Sequence, residues 1–132
     1  MDKLVQLFLE AARNGNFLKD GWPEFKNVDV LSYPVSKTAI SALSRIQQRE
    51  FDTDLRDDIV VNHVHPGCVE TDMTKWMKNK NRAPATEGAK APIFATTLPP
   101  GTKIKCQFIW DDCQIVDWEN GSLPEGYVTN RT

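Results

Sequence analysis

Only two stretches of the chain have the composition of β-strands. IVVNHVH (59–65) is apolar and β-branched and is stopped by Pro66-Gly67, and IKCQFIW (104–110) follows the turn PPGTK. Between them TEGAKAPIFATTL (86–98) reads as a helix opened by Thr86, with Pro92 an awkward member. Strand, helix, strand in that order predicts a parallel crossover. A parallel sheet normally has more strands than two, with helices on both faces. The run at 59–65 reads as a strand buried on both faces, and with few neighbours it exposes an unpaired edge. The chain is therefore expected to be α/β, with fewer strands than that architecture normally holds.

Upstream the pattern is helical. Asp2 can cap a helix running to about Gly15, with Leu4, Leu7, Phe8 and Ala11 on its apolar face. FLKDGWPEFKNVDVLSYP (17–34) is rich in turn formers and reads as a loop packed by Trp22 and Phe25. SYPVSKTAISALSRIQQREF (32–51) reads as a second helix, with Ile40, Leu43, Ile46 and Phe51 at helical spacing. Pro34 fits it only in the first turn. CVETDMTKWMKNKN (68–81) reads as a loop with room for a short helix, and the polar residues from Asp111 onward read as a surface tail.

At 132 residues this is one domain or part of one. Sixteen basic against eighteen acidic residues give a formal charge of -2 with no long like-charge run, so no nucleic-acid partner is expected. No apolar stretch approaches the ~18 residues of a membrane span. The start, MDKLVQLFLEAARNGN, lacks the long apolar run and cleavage site of a signal peptide. Cys68, Cys106 and Cys113 are an odd set without paired-ligand spacing, as expected of reduced cytosolic thiols, so a cytoplasmic location is expected. His63 and His65 share a strand face but have no evident acidic or cysteine co-ligand, and no metal site is read there.

The chemistry concentrates in two places. In the second helix Tyr33 and Lys37 lie one turn apart and project from one face. An ammonium near a phenol stabilises phenolate and lowers the tyrosine pKa from ~10. Such a tyrosine is a competent general acid toward a carbonyl oxygen. The spacing alone more often marks a solvated or packed pair. The second place is VNHVHPGCVETDM (61–73), where a strand ends in Pro-Gly. Ligands of open α/β sheets bind at the carboxyl ends of strands, and Gly67 lets backbone approach a ligand closely.

Tyr33-x-x-x-Lys37, a helix, then Val61-Asn62-x-Val64-x-Pro66-Gly67-x-Val69-x-Thr71 resembles the second half of the short-chain dehydrogenase/reductases. DGWP (20–23), LSRI (43–46), PGCVETDM (66–73), EGA (87–89) and LPP (98–100) more closely resemble the cytosolic monomeric NADPH-dependent carbonyl reductases. The resemblance extends from about Leu4 to Trp118. It implies the carboxyl-terminal part of a Rossmann-type doubly wound parallel sheet, with two strands and about three main helices. The whole of 1–132 would be the catalytic and substrate-side portion of one domain, with 118–132 a surface tail. It also implies that Tyr33 protonates a carbonyl oxygen, and that Lys37 binds the nicotinamide ribose and lowers the Tyr33 pKa. Pro66, Gly67, Val69, Glu70 and Thr71 would line the nicotinamide end of NADPH, the Val69 backbone holding the carboxamide. Tyr33, Cys68 and Met73 would border a small-molecule carbonyl substrate, together with TKWMKN (74–79). The amino-terminal helix resembles an insertion that covers an oligomerisation face, which implies a monomer.

Three departures accompany the resemblance. The family's glycine-rich phosphate turn, its Asn-Ala-Gly region, the residues that select the 2′-phosphate and the catalytic serine have no counterpart. Ser32 and Ser36 lie in the wrong element to replace that serine. The chain is thus expected to be the carboxyl-terminal half of a reductase without the pyrophosphate site. Cys68 stands where close members usually carry tryptophan, which predicts a wider substrate pocket. Pro34 stands where a small residue is usual. The competing expectation is a truncated, non-catalytic product that binds another protein or does not fold stably.

Overall fold

The computed structural model describes residues 2–22, 28–56, 58–77, 81–117 and 120–121. They form two compact units, Met1–Ile46 and Gln47–Thr132. Among the described residues no helix is long and apolar enough to cross a membrane.

In the first unit, α1 spans Asp2–Asn14. It stops at Gly15, whose φ of +65° is the left-handed conformation that commonly ends helices. Phe8 and Ala11 are buried, whereas Leu4 and Leu7 on the same predicted face remain exposed. The Phe8 ring meets Phe17 at 5.8 Å and Trp22 edge-on at 5.1 Å, which anchors the following loop. The predicted packing of Phe25 and the Asp2 side-chain cap fall outside what is described.

Helix α2 spans Val28–Phe51, so it starts earlier than the sequence pattern predicts and places Pro34 in its second turn. The first-turn expectation for Pro34 is therefore corrected. A proline removes its own N–H from the ladder but does not prevent the residues before it from being helical. Ile40, Leu43 and Ile46 keep their helical spacing yet are exposed, and among the described α2 side chains the buried ones are Ser44 and Gln48.

The second unit contains a three-stranded sheet of order β1-β2-β3. Strand β1, His63–Val64, pairs in parallel with β2, Phe108–Ile109, the expected crossover. Strand β3, Ile115–Val116, pairs antiparallel to β2. It replaces the start of the predicted surface tail, because Val116 is buried in the core with Ala91, Ile109 and Trp110. The rest of the predicted tail, apart from residues 117 and 120–121, lies outside the described residues.

Both predicted strands are shorter than their apolar runs, although hydrogen bonds reach past them. Cys106 N–H donates to the Val61 carbonyl at 3.0 Å, and His65 N–H donates to Ile109 at 2.8 Å. Cys106 itself has φ +60°, which breaks the regular ladder. The Asn62 side chain bridges that break, accepting from Gln107 N–H at 2.9 Å and donating to the Ile104 carbonyl at 2.8 Å. Gln48, 1% exposed, does the same further back. Its Oε1 accepts from Val61 N–H at 2.6 Å and its Nε2 donates to Ile59 at 3.4 Å. Residues 59–65 are half-buried except for His63, so burial on both faces is not realised. The reason is position, since β1 is an edge strand of this sheet.

The predicted single helix at 86–98 is two, α3 (Ala85–Gly88) and α4 (Lys90–Thr96), and Pro84, not Thr86, takes the N-cap of the first. The break at Ala89 puts Pro92 in the first turn of α4, where its missing N–H costs nothing. Gly88 is buried, and a Cβ there would overlap the Val69 side chain, so α3 packs directly on the segment after β1.

Candidate functional site

In the second unit the site residues follow from how β1 ends. Pro66 has no N–H to continue the ladder, and Gly67 turns the chain at φ +77°. The turn is tight on two sides. Gly67 N–H donates to His65 Nδ1 at 3.0 Å, so the neutral imidazole carries its proton on Nε2. A Cβ on Gly67 would lie 2.6 Å from Asp111 Oδ2, so a larger residue would have to displace that carboxylate as well as adopt the left-handed φ. The His65 ring lies flat on Trp110, with centroids 4.3 Å apart and planes at 9°, and meets Phe108 edge-on at 6.5 Å. Burial holds its pKa below the ordinary histidine value, against the opposing pull of the Asp111 charge. His63 stacks instead on Phe108 at 4.7 Å.

Beyond the turn, Cys68 and Glu70 grip Ala83. Ala83 N–H donates to the Cys68 carbonyl at 2.8 Å, and Glu70 N–H donates to Ala83 at 2.9 Å. Val69, between them, forms the isolated bridge with Ala83 and directs its own backbone groups elsewhere. Its carbonyl accepts from the Thr74 hydroxyl at 2.6 Å, while its N–H meets no acceptor among the described residues. Thr71 begins a 3-10 turn at Asp72–Thr74 and donates its N–H to Thr74 Oγ1 at 3.0 Å, leaving its own hydroxyl at the surface. Arg82 donates to the Thr74 carbonyl at 2.9 Å and lies 3.9 Å from the Glu70 carboxylate. Cys68 is half-buried, while Met73 and Trp76 are 70% and 74% exposed. Lys78 and Asn79, the end of the predicted substrate border, lie outside the described residues.

A groove of about 270 Å³ opens along Pro66, Ala83, Glu87, Lys90, Asp111 and Asp112. Glu87 and Lys90 pair across it, which raises the Lys90 pKa above its ordinary value. Asp111 and Asp112 come from the β2–β3 hairpin. Its turn is closed by Cys113 N–H on the Trp110 carbonyl at 2.9 Å and by Gln114 N–H on Asp112 Oδ1 at 2.9 Å. Reading the sequence from Asp111 as a tail misses these two carboxylates. The available signal is FIW-DDC-QIV, two apolar runs around three turn residues, the pattern of a three-residue hairpin loop.

In the first unit, Tyr33 and Lys37 share one face of α2, as their spacing predicts. Lys37 Nζ stands 5.5 Å from the Tyr33 ring centroid, within cation–π range. Tyr33 is 57% exposed, and the Ser36 hydroxyl donates to its carbonyl at 2.7 Å. The phenol and the ammonium are therefore both presented to solvent from the surface of one helix.

No family model and no solved structure matches the chain. Curated relatives do. Carbonyl reductase (NADPH) 1 of Rattus norvegicus is 36% identical over 101 residues, 76% of this chain and 33% of the relative. The protein of that name from Oryctolagus cuniculus is 36% identical over 117 residues, 87% of this chain and 39% of the relative. That from Homo sapiens is 34% identical over 98 residues, 74% and 32% respectively. The chain thus spans about a third of the length of the curated relatives it matches.

Proposed function

From the premise that this chain is a partial homologue of the carbonyl reductases of the short-chain dehydrogenase/reductase family, we propose that it carries the proton-donating part of an NADPH-dependent carbonyl reduction. The observation that most supports this is the Tyr33–Lys37 face of α2, with ammonium and phenol ring 5.5 Å apart and Tyr33 open to solvent. Tyr33 would give its hydroxyl proton to the carbonyl oxygen of a small ketone, aldehyde or quinone as negative charge grows there. Lys37, beside it, would hold the cofactor's ribose hydroxyls by hydrogen bonds.

Pro66, Gly67, Val69, Glu70 and Thr71 would line the nicotinamide end of the cofactor. The fit is favourable at three points: a glycine turn without a side chain, an unclaimed Val69 N–H and a surface Thr71 hydroxyl. NADPH supplies the hydride in such reactions. Cys68 and Met73 would border the substrate. We assign this chemistry to a cytoplasmic, monomeric protein acting on small molecules. A second reading, a non-catalytic binding product, would follow only for a protein without a glycine-rich phosphate turn; these 132 residues contain none.

The test joins this chain to the amino-terminal nucleotide-binding part of the rat relative and follows NADPH oxidation with a quinone. Activity is expected in the chimaera. Tyr33→Phe should lower it ~10²–10⁴-fold with cofactor affinity nearly unchanged, the usual contribution of general acid catalysis. Lys37→Ala should weaken both rate and affinity. A Tyr33→Phe chimaera retaining more than about a tenth of the rate would transfer the acid role to another group. An inactive chimaera that folds would favour the non-catalytic reading.

A further inference from the structure

The Pro66–Gly67 turn depends on one imidazole nitrogen. We propose that His65 is a positioning residue for this turn: its unprotonated Nδ1 holds Gly67 in the left-handed conformation, and protonation of the ring releases it. Gly67 N–H has Nδ1 as its acceptor at 3.0 Å. An imidazolium has two N–H donors and no acceptor, so protonation sets donor against donor at that distance. The ring has little freedom to turn away, because it is stacked on Trp110 at 4.3 Å and bounded by Phe108. Strain then falls on the glycine, the residue best able to change its φ.

The surrounding charges set where the change occurs. Asp111, from the β2–β3 turn, favours the charged ring. His63, on the same strand face, stacks on Phe108. The Glu87–Lys90 pair and Asp112 line the groove over Pro66. Burial outweighs the Asp111 charge and keeps the ring neutral to lower pH than an ordinary histidine. Release is therefore expected below about pH 6.5. The sign follows: the unfolded chain takes up this proton first, so stability from this group is complete above about pH 6.5 and falls as pH drops through the lower folded pKa. Any effect on cofactor binding rests on the reading above, whereas the conformation of the turn does not.

The experiment is an NMR titration of the ¹⁵N-labelled 132-residue chain from about pH 8 to about pH 4.5, following the Gly67 amide and the His65 ring. In the native chain the two should titrate together. His65→Asn offers an amide oxygen near the position of Nδ1 without titrating, so its Gly67 amide should stay fixed. His65→Phe keeps the stack but has no acceptor, and its Gly67 amide should show the acid form throughout. A native Gly67 amide that ignores pH, or one that titrates equally in His65→Asn, overturns the proposal. If Gly67 responds as expected but cofactor affinity of the chimaera is the same on both sides of the transition, the assignment of the turn to the cofactor falls and the role of His65 stands.

Discussion

Cys68 is the residue at which a single side chain should have the most visible chemical consequence. It is half-buried next to Gly67, while Trp76 is 74% exposed. A buried indole covers about 150–250 Å², so under the proposed function a thiol where the family resemblance expects tryptophan would leave room for a larger carbonyl compound. In the chimaera, Cys68→Trp should lower kcat/KM for a bulky quinone relative to a small flat one. The measurement is the ratio of the two specificity constants in both variants, and an unchanged ratio would show that the position does not shape the pocket. Sequence alone marks Tyr33, Lys37 and Gly67, because their chemistry lies in residue type and short spacing, whereas Cys68 is marked only by the family resemblance. It does not reveal Thr74, whose hydroxyl takes up the Val69 carbonyl, since that contact depends on how the loop folds back.

At the scale of elements, two backbone irregularities make predictions. Pro34 sits in the second turn of α2, where it deprives the ladder of a donor that an alanine would supply. An interior proline costs about 3 kcal/mol. Pro34→Ala should raise stability by about 1–3 kcal/mol in urea unfolding, whereas no gain would show that the missing donor costs nothing at this position. Cys113 closes the β2–β3 hairpin at φ +67°, where a three-residue loop favours glycine. Cys113→Gly should stabilise by about 1 kcal/mol, the lower end of the cost of a non-glycine residue in this region. A destabilised hairpin would mean the thiol makes up that cost through its surroundings.

For the molecule as a whole, binding of the intact cofactor is the decisive property. Phosphates are normally held by a glycine-rich turn and the N-terminus of the helix after it. Gly15, Gly21 and Gly67 form no such string in this chain. These 132 residues by themselves should therefore bind NADPH weakly, with no saturation at low micromolar concentration when nicotinamide fluorescence is followed. A low-micromolar dissociation constant would show that the site is complete without that turn.

What the sequence determined by itself is the α/β class, the parallel crossover of β1 and β2 and the one-turn spacing of Tyr33 and Lys37, but not β3, which reads locally as a polar tail. Each depends on local rules: helical spacing, apolar runs, and the stops imposed by proline and glycine. The division of 86–98 at Ala89 was already hinted at by Pro92, which tolerates only a first turn. Tertiary structure alone decided which polar groups became internal. Gln48 is buried because Ile59 and Val61 bring it backbone partners, while Ile40 and Leu43, better hydrophobes, remain exposed. Likewise only the β2–β3 hairpin brings Asp111 over Gly67, and only the sheet lays His65 on Trp110. Burial and hydrogen bonding are properties of pairs. When the partners lie far apart along the chain, no local pattern in either segment encodes their meeting.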